Sequence, residues 1–113
     1  MYSMFKKYDI SATRENPVNE KKIDTINANY ELYSSVIAYI DEQEWFCTAL
    51  LRGVMDEDYA FGAVSTQTIG AYDTLGKFIL HRRNKLKSEI AYKDFEVVVK
   101  NWKEKQKISR PTR

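Results

Sequence analysis

From Ile23 onward, apolar residues recur at alternating spacings of three and four, through Ile23, Ile26, Tyr30, Tyr33, Ile37 and Ile40, then Cys47, Leu51 and Val54. That rhythm keeps one side of a helix apolar and predicts an amphipathic helix, not a strand. Glu44 interrupts the stripe where an apolar side chain would stand. Asn16-Pro17 offers an N-cap followed by a proline suited to the first helical position, so the helix is expected to begin there. Unbroken over 17–52, it would be about 50 Å long at 1.5 Å per residue, against about 26 Å for twice the radius of gyration of a 100-residue domain. Either it breaks near Asn27-Ala28-Asn29, where two Asn side chains compete for the backbone, or its N-terminal part packs on another copy. In the second case Ile23, Ile26, Tyr30 and Tyr33 form a self-association stripe and the protein is a homo-oligomer.

Gly53 reads as a helix C-terminal residue, and Asp56-Glu57-Asp58 as the cap and first turn of the next helix. A short helix through Tyr59 and Phe61 is expected to end near Gly62, with Ser65 capping a longer one that runs to about Lys85. The stripe of that longer helix is Thr68, Tyr72, Leu75, Ile79, Arg82 and Leu86, with Phe78 alongside. Ser88 is expected to cap a last helix striped by Tyr92, Phe95, Val99 and Trp102. The fold class predicted is all-α: a small bundle of about four helices with a long first helix. Residues 1–16 form an irregular segment, 17–107 the helical domain and 108–113 a basic tail.

Length and composition agree with this picture. A chain of 113 residues, 43% hydrophobic and 13% aromatic, can close one core. No apolar run approaches the ~18 residues that span a bilayer, and Met1-Tyr2-Ser3-Met4-Phe5-Lys6-Lys7 lacks the apolar stretch of a secretory signal, so a cytoplasmic protein without membrane association is expected. Cys47 is the only cysteine, and its neighbours Phe46, Leu50 and Leu51 mark it as a buried small hydrophobe. The net charge of +2 conceals a division: residues 1–76 hold six Lys/Arg against twelve Asp/Glu, and residues 77–113 hold twelve against four, giving −6 and +8. Such a split favours docking of the two halves, head-to-tail association, or an acidic partner at the C-terminal end.

Candidate chemistry is sparse. One histidine, His81, and one cysteine cannot make a four-ligand structural zinc site, and the scattered glycines form no phosphate loop. The acids at 56–58 lack the alternate spacing and distal Glu of a calcium loop. No catalytic residue, metal ligand or cofactor is assigned, and a non-enzymatic protein is expected. Glu44 should face inward and needs a partner. The matching intrusion on another stripe is Arg82, so a structural ion pair of Glu44 with Arg82, shared with Arg83, is predicted. Tyr39, Trp45, Lys103, Lys107 and Arg110 are candidates for contact with a protein partner, beside the N-terminal aromatics Tyr2, Phe5 and Tyr8. The alternative is a nucleic-acid-binding accessory protein using the basic C-terminal half. Against it, Tyr92 and Trp102 lie on the apolar stripe and the acids Glu89, Asp94, Glu96 and Glu104 interleave with the basic residues.

Asp41-x-x-Glu44, Gly53-Val54-Met55-Asp56-Glu57-Asp58, Phe78-Ile79 followed by Arg82-Arg83, then Tyr92-x-x-Phe95 and Trp102 occur in this order. In that order the chain, over roughly Val36 to Lys103, resembles an uncharacterised family of helical domains from bacterial and phage proteins, a domain of unknown function. The resemblance implies an all-helical fold in which Glu44 and Arg82 or Arg83 belong to the signature. Asp41 stands where that family more often has Asn. It implies no activity, and by analogy with small phage proteins it suggests binding to a host protein, such as a defence component.

Overall fold

The computed structural model describes residues 2–109, and side chains from 3 to 108. Five helices follow one another: α1 (Tyr2–Lys7), α2 (Glu20–Ala28), α3 (Tyr30–Leu51), α4 (Glu57–Leu86) and α5 (Lys93–Ser109). No strand occurs among the described residues. At 1.5 Å per residue the thirty residues of α4 are about 45 Å long, comparable with the 43 Å longest extent of the molecule. Helix α5 packs against both α3 and α4, while α1 and α2 pack against α3.

The overlong first helix resolves by breaking, and Asn29 is the break. Its backbone is extended (φ −121°, ψ 106°), its N–H reaches the Ile26 carbonyl, its side-chain Nδ2 donates to the Thr25 carbonyl at 2.8 Å, and its own carbonyl accepts from Tyr33 N–H. One residue thereby ends α2 and starts α3. The break shifts which residues point inward in the first turns that follow. The buried positions of α3 are Leu32, Val36, Ile40, Cys47 and Leu50: Ile40 and Cys47 belong to the predicted stripe, while Leu32 and Val36 take the inward places expected of Tyr30, Tyr33 and Ile37. Tyr30 is 84% exposed, and Leu51 and Val54 also face outward.

The self-association stripe is corrected by the same feature. Ile23 and Ile26 are fully buried in the chain's own core, because α2 folds back on α3 instead of extending it. Tyr33 packs edge-on against Phe78 and accepts a hydrogen bond from Arg82. Only Tyr30 remains available, so these four residues cannot act together as a dimer face.

The N-terminal segment is not uniformly irregular. Phe5 of α1 lies in the core, and Val18 is fully buried with its N–H on the Thr74 carbonyl at 2.9 Å. Asn16 caps no helix: its backbone exchanges bonds with Thr13, closing a turn that leaves Arg14 at the apex. The cap of α2 is Asn19, whose Oδ1 accepts from Lys22 N–H.

Three chain reversals share one geometry. At Gly53 (φ 74°), Val54 N–H bonds the Ala49 carbonyl and Gly53 N–H that of Leu50, the paired bonds of a Schellman motif. Asp9 (φ 56°) and Lys87 (φ 54°) occupy the same left-handed position without being glycine. Asp56 caps α4 as read from the sequence, accepting from Tyr59 N–H. The expected stop at Gly62 does not occur, since α4 runs through Gly62 and Ser65, and Ser65 is buried against Gln106 of α5. Ser88 starts no helix either. Its N–H closes the α4 terminus on the Arg83 carbonyl, and α5 begins five residues later.

Candidate functional site

The signature residues converge where α5 begins. Five residues join Lys87 to that start, and Tyr92 enters it with φ 61°. A helix start exposes amides that need acceptors, and here α3 supplies one. Glu44 Oε1 accepts the Phe95 N–H at 2.7 Å, and Asp41, one turn earlier, accepts the Tyr92 hydroxyl at 3.0 Å. Thr48, one turn later, donates its hydroxyl to Asp94 at 2.6 Å. Asp41, Glu44 and Thr48 thus form a polar stripe of α3 dedicated to α5.

The predicted Glu44–Arg82 pair is not formed, and Glu44 makes no salt bridge with Arg83. The reason is the demand of the helix terminus: backbone amides with no intrahelical acceptor lie nearer to Glu44 than either guanidinium. Burial pushes the Glu44 carboxyl above its usual range, the Phe95 amide and Arg83 pull against that, and the Asp94 charge adds to it. Arg82 instead donates to the Tyr33 hydroxyl and stacks near its ring, and its buried Nε has no hydrogen-bond partner. Arg83 donates to the Ala91 carbonyl at 2.6 Å and pairs with Glu96 at 3.2 Å. Burial raises the Tyr92 hydroxyl above its ordinary value, with Arg82 opposing and Asp41 reinforcing. Asp41 and Glu44 of α3 and Arg83 of α4 therefore hold the same turn without forming a salt bridge with one another.

Cys47 lies behind this stripe, fully buried. Burial, with the charges of Glu44 and Asp94, pushes its thiol up to about 12. His81 shares a hydrogen bond with the Asn27 amide at 3.1 Å, linking α4 to α2.

Among the partner candidates, Trp45 is 74% exposed while Tyr39 is half-buried. At 100° per residue, Trp45 and Glu44 lie on opposite flanks of Asp41, so Trp45 borders the clamp without entering it. Ile90, in the turn the clamp holds, is 79% exposed, and a groove of about 460 Å³ is lined by Leu80, Arg83, Lys87 and its chain neighbour Glu89. Lys103 and Lys107 lie with Lys100 and Arg14 along a second groove, of about 340 Å³. Arg110 falls outside the described residues. Phe5 is buried, and Tyr8 is half-buried with its hydroxyl on Glu31. Arg14 and its partner Asp73 carry no sequence pattern that would have singled them out; they matter through contacts between segments.

The basic and acidic halves dock on each other. Lys105 pairs with Asp58 at 2.7 Å and Glu57 at 3.6 Å, Lys103 with Asp73 at 2.6 Å, and Glu57 also accepts the Trp102 indole N–H. Among the described residues no group of His, Cys, Asp and Glu is arranged to hold a metal ion, and no helix is long and apolar enough to cross a membrane.

These features define a small all-α domain whose signature residues organise one inter-helix turn. The chain belongs to the family described as Domain of unknown function (DUF4760), whose model matches residues 3–102. The match takes in most of α1, residues 8–19 that strap α1 to α2, and α2, all N-terminal to the Val36–Lys103 span that carries the resemblance in sequence. No curated protein and no solved structure matches the chain.

Proposed function

We propose that the domain is a non-enzymatic protein-interaction module, with a contact surface centred on Trp45 and bordered by Ile90. The observation that carries this reading is the 74% exposure of Trp45 in a chain whose other tryptophan, Trp102, is buried in the core. Tryptophan is the residue type most enriched at binding hot spots, because it buries a large rigid area at low entropic cost. The clamp supports the reading, since it fixes the turn that carries Ile90 against the helix that carries Trp45. Asp41, Glu44, Arg82 and Arg83 are all engaged in bonds within the chain.

The test is affinity capture from a native host with wild-type bait and with Trp45→Ala bait of equal thermal midpoint. A protein retained by the wild type and lost with Trp45→Ala supports the surface. Identical captures from both baits overturn it.

A further inference from the structure

A cleft of about 420 Å³ lies between the strap that joins α1 to α2 (residues 8–19), Tyr39 of α3 and the α4 residues Gly70, Ala71 and Thr74. Its lining is chiefly apolar. Its floor is open at Gly70, where an added Cβ would meet no atom within 4 Å. Glycine inside a helix costs about 1 kcal/mol relative to alanine, and here its effect is to leave room over the helix.

Arg14 lines this cleft and also the basic groove of about 340 Å³ beside α5. That groove carries Lys100, Lys103 and Lys107, spaced three and four apart on one face of α5. Two carboxylates temper the four cations. Asp73 ties Arg14 Nε at 3.0 Å and Lys103 at 2.6 Å, and Glu104 pairs with Lys107 at 3.2 Å. Lys100 is exposed and makes none of the described ion pairs. Asp73 lies 3.0 Å from Arg14 Nε, and the half-exposed Arg14 lines both cavities, so its guanidinium stands at their junction with a single carboxylate for an ion-pair partner among the described residues. The turn at Thr13 and Asn16 and the Val18–Thr74 bond fix the strap that carries it.

We propose that the cleft over Gly70 and the basic groove form one binding site, joined at Arg14, for a small amphipathic anion: an apolar or aromatic group bearing a phosphate. The apolar part occupies the cleft. A phosphate monoester, with a charge of about −1.5 to −2 at pH 7 and three acceptor oxygens, meets Arg14, Lys100 and Lys107. A dianion suits this convergence better than a carboxylate, because several separate cations can each take an oxygen. The site is distinct from the Trp45 surface and does not rest on it.

Titration of the isotope-labelled full chain, followed by amide chemical shifts, tests the site with three probes: octyl phosphate, phenyl phosphate and inorganic phosphate. At least one organic phosphate is expected to bind saturably, shifting amides in 12–14, 67–74 and 100–107, at least about tenfold more tightly than inorganic phosphate. Octyl phosphate alone binding identifies an aliphatic, lipid-like ligand, and phenyl phosphate alone an aromatic, nucleotide-like one. Gly70→Leu, which fills the cleft, and the double charge reversal Lys100→Glu/Lys107→Glu are each expected to weaken binding about tenfold, while Gly70→Ala retains it. Should Gly70→Leu not fold, Gln67→Trp at the exposed rim takes its place. Inorganic phosphate binding as tightly as both organic probes, no binding of either at about 10 mM, or undiminished binding after the cleft is filled would each overturn the proposal.

Discussion

The Glu44 carboxylate accepts the Phe95 backbone N–H at 2.7 Å across 51 residues of sequence, so α3 closes the first turn of α5. Glu44→Ala removes that cap and is expected to cost about 1–2 kcal/mol, through the loss of a helix start and not through an abandoned arginine. Glu44→Gln keeps an oxygen for the amide and removes the charge. Because burial raises the Glu44 carboxyl, its charged form favours the unfolded chain, and the stability held by its proton is lost as pH rises through the folded-state value. Glu44→Gln should therefore match or exceed the wild type at pH 7, by less than about 1 kcal/mol after solvent screening, and the two should converge below the ordinary carboxylate value. Urea denaturation at both pH values checks this; a Gln variant less stable at pH 7 would show that the charge itself holds the turn.

Cys47 should be inert in the folded chain. A thiol pushed up to about 12 and fully buried presents almost no thiolate at pH 8. Labelling with a disulfide reagent should proceed only through unfolding, accelerating with urea in step with the loss of helix. Rapid stoichiometric labelling in native buffer would contradict the burial.

Lys87 and Tyr92 both have positive φ, and they should respond oppositely to glycine. Lys87 is exposed at the end of α4, so Lys87→Gly is expected to raise stability by about 1 kcal/mol through relief of the left-handed conformation. Tyr92 is buried and bonded to Asp41, so Tyr92→Gly should lower stability by about 3 kcal/mol or more, as aromatic truncations in cores do. Thermal denaturation of the two variants reads both signs.

The two tryptophans give a spectroscopic check of the proposed surface. Trp45→Phe should remove the red-shifted, iodide-quenchable part of the emission and leave the unfolding free energy within about 0.5 kcal/mol of the wild type. The remaining Trp102 should emit at shorter wavelength and resist quenching, since it is 1% exposed.

What could be read from the sequence was whatever is local. The 3-4 rhythm, the Asp56 cap, the Gly53 terminus and the stripe Tyr92, Phe95, Val99 and Trp102 each depend on residues within a turn or two of one another, and each is present. The same rhythm misled across Asn29. A repeat of three and four is indifferent to one extended residue, yet that residue turns the first turns of α3 so that Leu32 and Val36 point inside in place of Tyr30, while Ile40 and Cys47 of the predicted stripe stay buried. The sequence marks Glu44 as an inward polar position, and the partner a side-chain pattern offers it is Arg82. The groups in need of an acceptor are backbone amides of α5, which starts at Lys93 and not at Ser88, and no stripe of side chains signals them. Arg14 and Asp73 meet only because the strap crosses α4, a matter of topology.

The docking of the acidic half on the basic half, one of the outcomes the charge division suggests, also governs how the molecule is sensed from a distance. Lys103 and Lys105 each sit within hydrogen-bonding distance of an acid from the other half, Asp73 and Asp58, so at these places the two opposing charges cancel at short range. Seen from a Debye length away, about 8 Å in physiological salt, these paired regions present little net field, and long-range steering falls to the few cations left over. An oppositely charged macromolecule would thus sense this protein late, at contact distance, where shape and apolar area decide whether it stays.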